Sequence, residues 1–183
     1  VDPFKYPKEE LEKYIRQSID KAEIESNVSV KDAYISIYDH NDSIYIDQEI
    51  ELGNEVVTDK MTNSFFKQRE FKSLYSNVKE PLHSFPISHR INKLKSVSDP
   101  IGMRVNNLRT RWHIIMSDSD RLNKLRSIFE NLQVSVRQFI ASAYTSSIST
   151  LSEEESSHGS AVIDIGKNYT FISYIFDNNL IAF

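Results

Sequence analysis

Between Met103 and Met116 the side chains alternate. Leu108, Thr110, Trp112, Ile114 and Met116 fall on one side, with Arg109, Arg111 and His113 on the other. A period of two is the signature of a strand and is incompatible with a helix. A strand this long needs neighbours in a sheet and something to cover its apolar side. The sequence supplies two neighbours. Ile44, Ile46, Gln48 and Ile50 alternate in the same way. Leu82 to Asn92 forms another run, with Phe85, Ile87, His89 and Ile91 expected on one face. Pro86 inside that run predicts an edge position or a bulge. Asp39-His40-Asn41-Asp42 and Asp99-Pro100-Ile101-Gly102 carry turn chemistry.

Helical spacing brackets this sheet. Leu11, Tyr14, Ile15, Ile19 and Ala22 mark a helix from Pro7 to Ser26, with Glu9, Glu10 and Glu12 at its positive end. Thr58 is placed to cap a helix running to Asn77 with Met61, Phe65, Leu74 and Tyr75 on its apolar side. Asp118 or Ser119 caps another, carrying Leu122, Leu125, Ile128, Phe129 and Leu132. Ala33 to Tyr38 reads as a strand nearly buried on both faces, and Val134 to Ile140 as a further strand. Ala141 to Leu151 reads as a Ser/Thr-rich helix and Ser152 to Gly159 as an acidic loop. Ala161 to Ile165 and Thr170 to Ile175 form a hairpin-like pair. The mixed order predicts an α+β fold with an inserted subdomain.

Composition removes several function classes. There is no cysteine, so a disulfide scaffold and a thiolate metal site are excluded. There is no apolar run long enough to span a bilayer and no signal-peptide core at the start, so a cytosolic protein is expected. Net charge is −4, but it is unevenly spread. His89 to Arg126 holds nine basic residues against Asp99, Asp118 and Asp120, a net of +6. This segment reads as a solvated sheet face or as a docking surface for an acidic protein or lipid headgroup. No nucleic-acid module is visible.

Isolated candidates carry little chemistry. His83, His89 and His113 lie on strands, where two of them could meet, but a metal site needs three or four convergent ligands. Asp39, Asp42 and Asp47 lack the glycine and terminal glutamate of a calcium loop. Ser146, Ser147 and Ser149 lack a nucleophile-elbow context. Phe65, Phe66, Phe71 and Tyr75 read as core. Val1 at the start and the interrupted apolar pattern at Ile181-Ala182-Phe183 are what a piece cut from a longer chain would have.

Four segments together resemble the FtsA family of bacterial cell-division proteins. Ile140 to Glu155, followed by Gly159-Ser160-Ala161-Val162-Ile163-Asp164-Ile165-Gly166, resembles the family's small-residue helix and acidic loop leading into its second phosphate loop. Asp99-Pro100-Ile101-Gly102-Met103 resembles its Asn-Pro-hydrophobic-Gly-hydrophobic turn. Trp112 to Ser117 with Asp120 resembles its strand-to-helix step, and Arg16 to Glu23 its opening helix. The likeness covers nearly the whole chain but only the first half of an FtsA molecule.

The resemblance implies an actin-like (ribonuclease-H-like) fold. By that mapping residues 1–38 and 133–183 are parts of subdomain 1A, and residues 39–132 are an inserted strand-helix-strand-strand subdomain 1C. It also implies a nucleotide grip made of two glycine-rich hairpins. In the family the second reads Asp-Ile-Gly-Gly-Gly-Thr. Here it reads Asp164-Ile165-Gly166-Lys167-Asn168-Tyr169-Thr170-Phe171. Asp164, Gly166 and Thr170 are the nucleotide-binding positions carried over. Lys167 and Asn168 stand where backbone must approach phosphate closely, and Tyr169 is bulky there.

The expectation is therefore a chain that is not an ATPase, although the intact family binds ATP and magnesium. The partners implied are FtsZ, later division proteins and further copies of the protein, but no nucleic acid. Membrane attachment is expected only through a segment outside this chain, at the inner face of the membrane at the division site. Arg90, Lys93, Lys95, Arg104, Arg109 and Arg111 are the candidate interaction surface. The alternatives are the nucleotide-binding half of an actin-like ATPase, or a divergent actin-like assembly protein such as a pilus-assembly relative.

Overall fold

The computed structural model describes residues 6–38, 42–63, 78–93, 95–167 and 170–183. The expected Asp39 to Asn41 turn and the greater part of the helix predicted to reach Asn77, with Phe65, Phe66, Phe71, Leu74 and Tyr75, lie outside the described residues. Helix α1 (Lys8–Ser26) leads through the left-handed Asn27 to strand β1 (Asp32–Ile37). Strand β2 (Asp42–Val56), the short helix α2 (Asp59–Asn63), β3 (Lys79–Ile91), β4 (Lys95–Val97) and β5 (Arg104–Asp118) follow. Then come α3 (Ser119–Asn131), β6 (Ser135–Ala141), α4 (Ser142–Thr150) and α5 (Glu153–His158). Strands β7 (Ser160–Ile165), β8 (Thr170–Phe176) and β9 (Asn179–Ala182) close the chain.

The strands fall into three sheets. Strands β1 and β6 pair in parallel, Asp32 to Ile37 against Ser135 to Ala141. The four strands between them form their own antiparallel sheet in the order β2-β5-β3-β4. The last three form an antiparallel sheet in chain order. Strand β5 is central and long, as its alternation demands. Leu108, Trp112 and Ile114 are fully buried on its apolar side, with Ile44, Ile46 and Ile50 of β2 packed beside them. Gln48 is buried there too, and its Oε1 accepts the indole N–H of Trp112 at 3.0 Å. That bond removes the cost of an orphan N–H in the core.

The opposite side of the central sheet is divided. At one end Ile115, Phe85 and Leu82 join a core shared with Leu11 of α1, Ile37 of β1, Leu122 and Ile128 of α3, Phe139 of β6 and Leu180 of β9. The three sheets thus share one apolar core although, among the described residues, no strand ladder joins them. Polar bonds reinforce the junction. The buried His83 accepts the backbone N–H of Ala141 at 3.0 Å. His113 bonds the Leu180 carbonyl at 2.6 Å, and the Tyr45 hydroxyl donates to the Ile181 carbonyl at 3.0 Å.

Four expectations need correction. Strand β1 is not nearly buried on both faces: Ala33, Ile35 and Ile37 pack into the core on one face, while Tyr34 on the other is 70% exposed. Phe85 does not share a face with His89 and Ile91. A bulge at Pro86/Ser88 shifts the β3 register between them, so Phe85 meets His113 while His89 meets Thr110. The bulge predicted at Pro86 is therefore present, and it moves the residues that precede it to the other face. Ser152 to Gly159 is not simply a loop. Ser152 and Glu155 form a reciprocal capping box that starts α5, a signal legible as S-x-x-E. The hairpin near the end gains a third strand, β9.

Candidate functional site

Two sets of residues bear on function: the end of the β7–β8 hairpin and the charged face of the central sheet. Asp164 lies in β7 opposite Phe171, and Ile165 lies opposite Thr170. Alternation therefore puts Asp164 and Thr170 on opposite faces of the hairpin. Asp164 is half-buried and turned toward α4, where it accepts the Ser146 hydroxyl at 2.6 Å. The Tyr38 ring packs edge-on against Phe171 at 4.8 Å between centroids. Its hydroxyl bonds Asp164, and partial desolvation followed by that carboxylate raises the phenol above its usual range. Thr170, Gly166 and Lys167 are exposed. The three carried-over positions thus sit at one end of one hairpin, but the carboxylate is already engaged by Ser146 and Tyr38 and faces away from Thr170.

The six basic candidates do not form one patch. Arg90, Arg109 and Arg111 converge with Ser88 and Asp47 around a concavity of about 180 Å³. Lys93 lies in the β3–β4 turn, 3.9 Å from Glu51. Lys95 pairs with Ile91 and so belongs to the apolar side. Arg104 begins β5 and donates to the Asn54 carbonyl at 3.1 Å. The uneven charge of the linear sequence is also partly cancelled. Strand β2 places Asp47 opposite Arg111 and Glu49 opposite Arg109. Asp47 accepts Arg109 at 2.7 Å. That carboxylate, through its hydrogen bond and then its charge, raises the guanidinium's affinity for its proton. Counting charges along the chain missed these cross-strand acids. Reading β2 and β5 as one ladder would have found Asp47 and Glu49.

The histidines are structural. His83 and His113 share one face and contact different backbone groups, while His89 on the other face bonds Thr110 at 3.0 Å. Burial lowers the His83 pKa to about 4 and depresses His89 and His113 as well. Among the described residues no group of three His, Asp or Glu side chains could hold a metal ion, and no helix is long and apolar enough to cross a membrane. Ser146 and Ser147 are committed to Asp164 and to the Ala143 carbonyl.

Comparison with known proteins finds one name repeatedly. The cell-division protein FtsA of Buchnera aphidicola is 29% identical over 158 residues, which is 83% of this chain and 36% of that protein. FtsA of Agrobacterium fabrum is 25% identical over 173 residues, 93% of this chain and 39% of its own length. FtsA of Escherichia coli K12 is 22% identical over 166 residues, 86% of this chain and 38% of its own length. Most of the chain is similar to FtsA. It spans a little over a third of the length of these FtsA proteins. No family model matches the sequence. The mixed α/β architecture is consistent with an actin-like domain of the FtsA kind.

Proposed function

We propose that the protein containing this chain is an FtsA-like component of the bacterial division machinery, and that this chain contributes a contact module to it. The supporting observation is topological. Strands β1 and β6 are parallel neighbours, and the chain between them leaves to build a sheet whose strand pairs are all internal. A unit inserted between adjacent strands of another domain suits an accessory surface carried by a scaffold. In this reading residues 39–132 are subdomain 1C, the flanks are parts of 1A, and the intact protein links FtsZ to the inner face of the membrane at the division site. Expression of the labelled full-length protein in a dividing bacterium is the test. The expected result is a band at mid-cell that disappears on FtsZ depletion. A diffuse signal that ignores FtsZ would overturn the proposal.

The β7–β8 hairpin, in the same reading, binds nucleotide weakly or not at all, and the chain is not an enzyme. Its support is Asp164, whose carboxylate is engaged by Ser146 and Tyr38, together with Lys167 where the family has glycine. Calorimetric titration with magnesium-ATP decides the matter. Micromolar affinity would refute it.

A further inference from the structure

The charged face of the central sheet is asymmetric in a way that its net charge hides. Across the strands one row reads Asp47, Arg111, Ser88, and the next reads Glu49, Arg109, Arg90, Ser96. Acids occupy the β2 column, arginines the middle, and hydroxyls with one more arginine the β3–β4 side. Arg109 has its carboxylate in Asp47. Arg111 lies over the Tyr45 ring at 5.5 Å, which orients its guanidinium without neutralising it. Arg90 faces Arg109 directly across the ladder and has no acceptor among the described residues. Like charges opposed in this way destabilise a sheet unless an anion lies between them. Three guanidiniums and one carboxylate line the resulting concavity.

We propose that this concavity is a docking site for a carboxylate side chain of an acidic peptide segment on a partner protein. Guanidinium forks match carboxylates in two-point geometry. Asp47 on Arg109 is an internal example of the same pairing. The Ser88 hydroxyl lines the concavity beside Arg90 and can donate to the second oxygen. The acidic column of β2 sets the partner's form. An anionic bilayer would meet Asp47, Glu49 and Glu51 together with the arginines and be repelled along half the face. An extended peptide running over β5 and β3 would meet Arg109, Arg111 and Arg90 and leave Glu49 and Glu51 to one side, with Asp47 already paired to Arg109.

The inference rests on the interaction reading above and names the chemistry of the partner. It is tested with the full-length protein and a fluorescent Asp/Glu-rich peptide, by anisotropy at low and moderate salt. Binding is expected, weakening as salt rises. Arg90→Ser is expected to weaken it about tenfold, Lys93→Ser less than about twofold, and Asp47→Asn to tighten it by freeing Arg109. Melting temperatures of all variants should stay within a few degrees of the parent, since these side chains are exposed. Equal losses for Arg90→Ser and Lys93→Ser would overturn the site, because a diffuse basic field predicts them. So would binding of phosphatidylglycerol vesicles or inorganic phosphate lost on Arg90→Ser while the peptide fails to bind. A parent protein that finds mid-cell yet ignores the peptide refutes the site alone, whereas peptide binding without mid-cell placement refutes the division reading alone.

Discussion

The central and C-terminal sheets follow the same two-residue rule and meet water with opposite faces. In the central sheet the apolar column of β5 is covered, and the stretch of the other column left to solvent, Arg109 and Arg111, is a ladder of charges with Asp47 and Glu49. In the C-terminal sheet Val162, Ser173 and Ile175 are buried, yet the outward column is Ile163, Ile165, Ile172 and Tyr174. Ile165 is 80% exposed, and Ile163 and Ile172 about 60%. Charged residues can remain in water at little cost, but a contiguous apolar column on an outer face has the composition of a contact surface. The contrast teaches that alternation alone tells where a strand is, and that the identity of both columns tells what each face meets.

Mutations can break or sharpen that contrast. The largest effect is expected in the central sheet. Trp112→Ala removes a fully buried ring and its hydrogen bond to Gln48, and should cost about 3–5 kcal/mol in urea unfolding. At the joint between sheets, His83 accepts a buried N–H only while neutral. Its folded pKa of about 4 lies below the ordinary 6.5, so the unfolded chain takes the proton first. The stabilising contribution is complete above about pH 6.5 and is lost as pH falls toward 4, amounting to roughly 3 kcal/mol. His83→Gln, which keeps an acceptor but cannot titrate, should flatten that part of the stability–pH curve.

Gly159 enters the C-terminal sheet at φ +104, and a Cβ there would approach the Tyr174 hydroxyl to 3.0 Å. Gly159→Ala is expected to cost about 1–3 kcal/mol. The smallest effect should come from the outer column. Ile172→Ser should change the stability of the 183-residue chain by less than about 0.5 kcal/mol, because its side chain loses little burial. A loss as large as that for Trp112 would erase the distinction between the two sheets.

Much of the fold was legible because its signals are local. The β5 alternation, the Asp118 cap of α3, whose Oδ1 accepts the Arg121 N–H at 3.1 Å, and the Asp99–Gly102 turn all depend on neighbours in sequence. Face assignments failed where register decided them. The Pro86/Ser88 bulge in β3 moved Phe85 to the face opposite His89, and nothing local in the sequence states the length of a register shift. The candidate site was half legible for the same reason. Arg90, Arg109 and Arg111 stood out as charges, but Asp47 and Ser88 join them only through pairing across strands.

The parallel pairing of β1 with β6 has a kinetic consequence. Ile37 and Ser135 bound an excursion of about a hundred residues, and closing a flexible loop of that length is entropically costly. A collapsed excursion shortens the search, since its ends are then already held near one another. The local β3–β4 hairpin and the β3–β5 pairing are therefore expected to form before the more distant β2–β5 ladder, with the two-stranded β1–β6 pairing and its Asp32–Arg137 ion pair closing last. During synthesis Asp32 to Ile37 would leave the ribosome well before its partner and wait unpaired. The exposed Asp32 and Lys31 at its entry are suited to keep that edge soluble in the interval.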